Sequence, residues 1–283
     1  MKAKILIILT VLMTILTQST IKLDTEAVNF DTPITMKVNR EYIKTDAEPF
    51  LSGGLTYVPV RFVSGALGAD SVLWDEGTRS VTVSDDETLI ELTAEKNIAK
   101  VNGKSVQISG EVKIAKDRTY VPVRFVAETM GANVRWDSGT YTVDITKEGV
   151  EVPANMIGSR NYTDDDIYWL SRIINAESGS EPMRGKIAVA NTVINRVLSQ
   201  EFPNTIYGVI FDKKHGVQFQ PTMNGTIYNT PLGDSVIAAK RALSGESVVS
   251  GSMYFLNPRR ATNFWIVHNR KFYTTIGNHE FFL

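Results

Sequence analysis

An eight-residue phrase occurs twice in this chain. Thr56-Tyr57-Val58-Pro59-Val60-Arg61-Phe62-Val63 returns as Thr119-Tyr120-Val121-Pro122-Val123-Arg124-Phe125-Val126, an offset of 63 residues. Val38-Asn39 and Val101-Asn102 keep that offset upstream, and Gly68-Ala69 and Gly131-Ala132 keep it downstream. Trp74-Asp75 and Trp136-Asp137 follow after a slip of one residue. A repeat of this kind commits both segments to one supersecondary unit. Each unit reads as a strand near Val-Asn, a loop, and a Tyr-Val-Pro-Val strand whose Pro hands over to a helix. That short helix is ended by Gly68 or Gly131. In the first unit a hairpin follows, Ser71 to Trp74 and Ser80 to Val83, with apolar and polar residues alternating as in half-buried strands.

No polar cluster in the repeat has the makings of a catalytic site. Arg61 and Arg124 sit near the helix starts, where a carboxylate or a carbonyl can satisfy them, and the recurrence of Trp74 and Trp136 marks them as core residues. On its signature, Y-V-P-V-R-F-V followed by G-A and W-D, the segment 28–146 resembles the copper amine oxidase N-terminal-like stalk domains of secreted bacterial proteins. The resemblance implies a wall-associated spacer and not an oxidase. With no Cys and only His215, His268 and His279 in 283 residues, a copper site or any multi-His metal site lacks ligands. No cofactor is expected. Thirty basic against 31 acidic side chains also argue against nucleic acid as a partner.

Before the repeat, Lys2 and Lys4 precede an apolar run from Ile5 to Leu16. This is the length of a signal-peptide core and short for a membrane span. Residues 1–20 therefore read as a secretion signal, with membrane attachment only if it stays uncleaved. After the repeat, Gly149, Pro153, Gly158 and Ser159 break periodicity, so 147–162 reads as a linker and 163–283 as a second domain.

Thr163-Asp164-Asp165-Asp166 opens a helix with a capping box and three carboxylates at the positive end of the dipole. The helix runs to about Ser178. Ile167, Leu170, Ile173, Ile174 and Glu177 fall on one stripe, which puts a carboxylate on an apolar face in the last turn. Desolvation and the negative end of the dipole both raise the pKa of such a group. A carboxyl still protonated near neutrality is what a general acid requires. Spacing alone leaves open a solvated glutamate at a frayed helix end.

The surroundings add more. Ala176-Glu177-Ser178-Gly179-Ser180-Glu181-Pro182 is followed by Gly185 to Val197, by Phe202-Pro203-Asn204-Thr205-Ile206, by Tyr254-Phe255-Leu256-Asn257-Pro258 and by Ile276-Gly277-Asn278-His279-Glu280-Phe281. In that order, residues 164–282 resemble the catalytic domain of the SleB-type cell-wall hydrolases, the spore-cortex-lytic family. The family glutamate falls on Glu177. Ser178 and Ser180 depart from its A-E-A-x-G-E-P pattern. The resemblance implies a mainly α, lysozyme-like catalytic domain behind the mixed β-strand/short-helix repeat domain, an α+β chain overall. It implies a lytic transglycosylase cutting the N-acetylmuramic acid–N-acetylglucosamine β-1,4 bond of peptidoglycan, with one glutamate serving as acid and then as base. A hydrolytic muramidase and a non-catalytic wall-binding or spore-coat protein are the alternatives. Conventional glycosidases need a second carboxylate, for which Glu181, Asp212, Asp234 and Glu246 are available.

For substrate binding, sugar rings need apolar faces beside hydrogen-bonding groups. Gln218, Phe219, Tyr254, Asn257 and Trp265 lie in segments that match the family motifs and are the expected groove residues. A second helix, Met183 to Leu198, carries Ile187, Ala190, Ile194, Val197 and Leu198 as its apolar stripe. Asn191 and Asn195 border it in a structural role, and Arg196 is expected to pair with a carboxylate. Ser235 to Leu243 reads as a further amphipathic helix. The expected partners are peptidoglycan glycan strands, with wall or spore-coat partners through the stalk. The expected location is extracellular, at the wall or spore.

Overall fold

The computed structural model describes residues 30–214 and 216–283. Residues 1–29, which include the expected secretion signal, and His215 lie outside the described residues. The chain is α+β, a β-rich first part followed by a helical second part. Among the described residues no helix is long and apolar enough to cross a membrane.

The repeat builds the first part about a local pseudo-twofold. The two signature strands, Leu55–Pro59 and Arg118–Pro122, pair antiparallel with Val58 opposite Val121. These are equivalent positions of the two units, so each copy supplies half of one sheet. Phe50–Ser52 and Lys113–Ala115 flank the pair. Each strand ends in proline and passes directly into a seven-residue helix, α1 (Val60–Ala66) and α2 (Val123–Thr129). Pro lacks the N–H that a ladder would need but starts a helix without loss. Both helices end before a glycine in the left-handed region, Gly68 at φ +83° and Gly131 at φ +79°.

Ser71–Asp75 and Ser80–Ser84 open a five-stranded antiparallel meander that continues through Leu89–Thr93, Ile98–Val101 and Lys104–Gln107. The first strand, Thr35–Val38, pairs parallel with Thr142–Thr146, which closes the module by joining its two ends. Trp74 and Trp136 pack against its aliphatic core. Arg124 binds the Glu128 carboxylate and the Val134 carbonyl. Residues 147–162 do not stand off as a free spacer: Val152 is buried in the first core, Met156 packs on it, and Ile157 bridges Ile43.

In the second part, α3 (Asp164–Ser178) begins at a Thr163–Asp166 capping box. It packs on α4 (Met183–Leu198) and on α7 (Gly233–Leu243). Between α4 and α7 lie α5 (Ile206–Phe211) and α6 (Pro221–Asn224). The α4 stripe is broader than its apolar spacing suggests, with Gly185 to Val193 all buried, whereas Leu198 is exposed at the helix end. Asn191 and Asn195 hold the segment after α7: Asn191 binds Glu246 O and Val248 N, and Asn195 binds Val249 O and Ser252 O. The chain closes with a three-stranded sheet, Tyr254–Leu256, His279–Phe282 and Phe272–Ile276, in that spatial order. A short rim helix, α8 (Trp265–Asn269), precedes the last hairpin.

Polar side chains join the two parts. Buried Lys240 on α7 donates to Thr35 Oγ1 (2.9 Å), Thr140 O (2.8 Å) and Tyr141 O (3.0 Å). Lys37 and Arg160 both pair with Asp164 at the start of α3 (2.8 and 2.6 Å).

Candidate active site

Glu177 lies in the last turn of α3, on the edge of its buried face, half-buried at the wall of an open groove. The groove encloses about 850 Å³ between the end of α3, the side of α4, the segment 217–220, the Tyr254–Leu256 strand with the loop after it, and α8. All six residues selected from the sequence, Glu177, Gln218, Phe219, Tyr254, Asn257 and Trp265, line it.

Among the described residues no side chain or amide hydrogen-bonds the Glu177 carboxyl. Burial therefore acts on it without compensation and pushes its pKa up to about 7. Four residues on, Glu181 has the opposite surroundings. Burial alone would raise it, but the Asn278 side-chain amide (2.9 Å) and backbone N–H (3.0 Å), with His279 and Lys186 near by, offset that and hold it below the ordinary value. Glu181 is thus a charged tie between the start of α4 and the Gly277-Asn278 turn, outside the groove. The two carboxyls thus have pKa values pushed apart by their surroundings, Glu177 upward and Glu181 downward.

The other carboxylates considered for a second catalytic role are also occupied elsewhere. Asp234 pairs with Lys186 (2.9 Å), Glu246 with Arg241 (2.6 Å), and Asp212 accepts from Lys214 N. None lines the groove. The second carboxylate that does is exposed Glu201, which no spacing argument singled out because it follows α4 in an irregular turn.

The expected groove residues differ in what they present. Trp265 is half exposed at the rim, and Tyr254 lies across from it. Asn257 accepts from Arg259 N through Oδ1, which leaves its Nδ2 without a partner among the described residues. The Gln218 amide is engaged within the protein: Oε1 accepts from Arg196 (3.3 Å) and Nε2 donates to Gly216 O (3.1 Å). Phe219 is only 3% exposed and belongs to the second core, so it offers a ligand little ring face.

Arg196 corrects the sequence expectation. Among the described residues it has no carboxylate within ion-pair distance. Its Nε donates to Met253 O (2.7 Å), and its guanidinium lies 5.0 to 5.4 Å from the rings of Phe202, Phe219 and Tyr254. Burial lowers its pKa to about 10, although nearby Tyr254 and Asp212 act the other way, so it remains a cation. Arg260 and Arg270 add positive charge to the lining. His279, although buried, also lines the groove, its ring edge-on to Phe255 and near Glu181, and burial lowers its pKa. His268 is exposed and bonds Phe264 O. Among the described residues no group of three or more His, Asp or Glu converges on a point where a metal ion could sit.

The chain thus has a helical part, with one uncompensated carboxyl in an open groove, behind a β-rich repeat module. Comparison with known proteins agrees with that layout. Residues 180–282 match the Cell Wall Hydrolase family, and residues 37–145 match the copper amine oxidase N-terminal domain. The second domain belongs to the former family and the first to the latter. Spore cortex-lytic enzymes are similar to this chain over somewhat less than half of its length. That of Bacillus cereus is 35% identical over 134 residues, 47% of this chain and 48% of the relative. That of Halalkalibacterium halodurans is 36% identical over 120 residues, 42% of this chain and 35% of the relative. The chain thus spans about half or less of the length of these relatives. Among solved structures, the catalytic domain of the germination-specific lytic transglycosylase SleB from Bacillus anthracis is 33% identical. The likeness covers 44% of this chain and 100% of that one, with a TM-score of 0.41. The family match begins at residue 180, so the selection of Glu177 rests on the groove and on the uncompensated burial of its carboxyl.

Proposed function

We propose that this protein cleaves the glycan strands of peptidoglycan, on spore cortex or wall, as a lytic transglycosylase with Glu177 as its acid and base. The observation that carries the reading is the uncompensated burial of Glu177 in an open groove, which keeps a proton on it near neutral pH. In the reaction, Glu177 gives its proton to the β-1,4 glycosidic oxygen as the C1–O bond breaks. The resulting carboxylate then takes the proton of the muramic acid C6 hydroxyl. O6 bonds to C1 and closes a 1,6-anhydro ring, and Glu177 regains its proton. One carboxyl suffices because the nucleophile belongs to the substrate. Trp265 and Tyr254 supply apolar faces for sugar rings, and the unpartnered Nδ2 of Asn257 is a donor for a sugar or acetamido oxygen. Residues 1–20 serve export, and the first module is a spacer that meets wall or coat partners.

Glu177→Gln is expected to keep the fold and to abolish release of muropeptides from purified cortex or sacculi, a loss of about 10²–10⁴-fold for a general acid. Full activity in that variant would defeat the assignment. With the acid at about 7, wild-type activity should fall tenfold per pH unit above that value. The exposed carboxylate of Glu201 on the same groove supports a second reading, hydrolysis to a reducing end. Mass spectrometry decides between them, because the anhydro product is lighter by one water.

A further inference from the structure

The groove holds more positive charge than its neighbours neutralise. Arg196, Arg260 and Arg270 line it together with a single ordinary carboxylate, Glu201, while Glu177 is largely protonated below neutrality. Among the described residues none of the three arginines has a carboxylate within ion-pair distance, although the chain as a whole carries a net charge of −1. Two of them form an alternating ladder with the aromatic lining. The Arg196 guanidinium is 5.4 Å from the Tyr254 ring, and that of Arg270 is 4.6 Å from the same ring and 5.2 Å from Trp265. Arg270 also donates to the Tyr254 hydroxyl (2.9 Å), and Arg196 is anchored by Met253 O and Gln218 Oε1. Stacked and anchored in this way, the guanidinium planes lose little freedom on binding. Three cations lining one cleft in excess of its carboxylates, none of them ion-paired among the described residues, form a field suited to an anionic ligand.

The larger N-terminal groove, about 910 Å³, makes the contrast. Its arginines are already paired, Arg124 with Glu128 and Arg135 with Asp144.

We propose that Arg270, with Arg196 and Arg260 lining the same groove, forms a subsite for a carboxylate carried by the glycan strand. This rests on the glycan-cleaving reading and deepens it. Peptidoglycan offers such a group in two places, the free lactyl carboxylate of muramic acid and the terminal carboxylates of a stem peptide. A planar guanidinium fork matches either one bidentately. Muramic δ-lactam, in which the lactyl carboxyl is consumed, offers none. The subsite therefore discriminates among strands by their substituents, apart from the bond that is cut.

The test measures equilibrium binding in the full chain carrying Glu177→Gln, so that strands are not cut. Three probes are compared: peptide-stripped strands with free lactyl carboxylates, the same strands methyl-esterified, and strands with intact stems. The expected result is about tenfold tighter binding of a carboxylate form than of the ester, falling as salt rises. If the stripped acid shows the preference, the lactyl group is the ligand; if only intact stems do, the peptide is. Adding Arg270→Gln should bring the acid-to-ester ratio close to one, and Arg270→Lys, which keeps the charge but not the stacked fork, should restore only part of it. Equal binding of all three probes overturns the subsite, and so does a ratio that survives Arg270→Gln. Absence of binding to every strand instead removes the glycan reading itself.

Discussion

Replacing Glu177 by Gln should make the protein more stable at alkaline pH, and the magnitude follows from the groove. Burial without a hydrogen-bond donor raises the carboxyl from 4.5 to about 7. At about 1.36 kcal/mol per unit, that is about 3 kcal/mol of preference for the protonated form in the folded state. Between pH 4.5 and 7 the native state holds a proton that the unfolded chain has released, so this residue's contribution to stability falls as pH rises through that window. Above it the penalty is complete. Gln has the shape of the protonated acid and does not titrate, so it escapes the penalty. The two proteins should therefore unfold alike at pH 4, and the variant should gain up to about 3 kcal/mol at pH 8.5. Urea unfolding followed by the far-ultraviolet helix signal reports on the second part, which carries most of the helix. Every other titrating group is common to both proteins and cancels in the difference. A stability difference that is the same at pH 4 and pH 8.5 would refute the account, because the folded structure would then not be holding the carboxyl neutral.

Two further perturbations probe the supports around the site. Asn278→Ala removes the side-chain donor to buried Glu181 and should cost about 1.5–3 kcal/mol, read by urea unfolding. The neighbouring Gly277→Ala should be harsher still, because φ is +60° there and a Cβ would collide with Glu181 Oε2. Wild-type stability from either change would show that this turn is not held by the carboxylate. Lys240→Met tests the junction between the two parts. Burial, with Arg160 adding to it, lowers the lysine from 10.5 to about 7. The unfolded chain thus binds the extra proton between those values, and this group's contribution to stability rises with pH across the window. The wild type should gain in thermal midpoint between pH 7 and pH 10 relative to the variant, and parallel curves would overturn the reading.

Much of the local structure was legible in the residues. Proline after Tyr-Val, with glycine nine residues later in both units, places both short helices of the repeat, since Pro cannot continue a ladder and Gly takes the left-handed end without strain. Thr163 and Asp166 mark the start of α3, and the apolar stripe brings Glu177 to the edge of the buried face. The same rules failed where partners come from far along the chain. Arg196 was expected to meet a carboxylate and instead meets a carbonyl and three rings, two of them from residues 219 and 254. Gln218 does line the groove, and its bond to Arg196, which joins residues 22 apart in sequence, was not foreseen. Leu198 falls on the α4 stripe by spacing but lies past the end of the core that the stripe covers.

The order of residues by itself determined the repeat, the helices and their ends, and which carboxyl stands on an apolar face, because these depend on neighbours a few positions away. Only the folded chain decided that Glu177 is left without donors while Glu181 receives two from a turn 97 residues distant. Only the fold gathered arginines from α4 and from the C-terminal segment around one groove. The reason is physical: burial and hydrogen bonding set the charge of a side chain, and both are properties of what surrounds it in space.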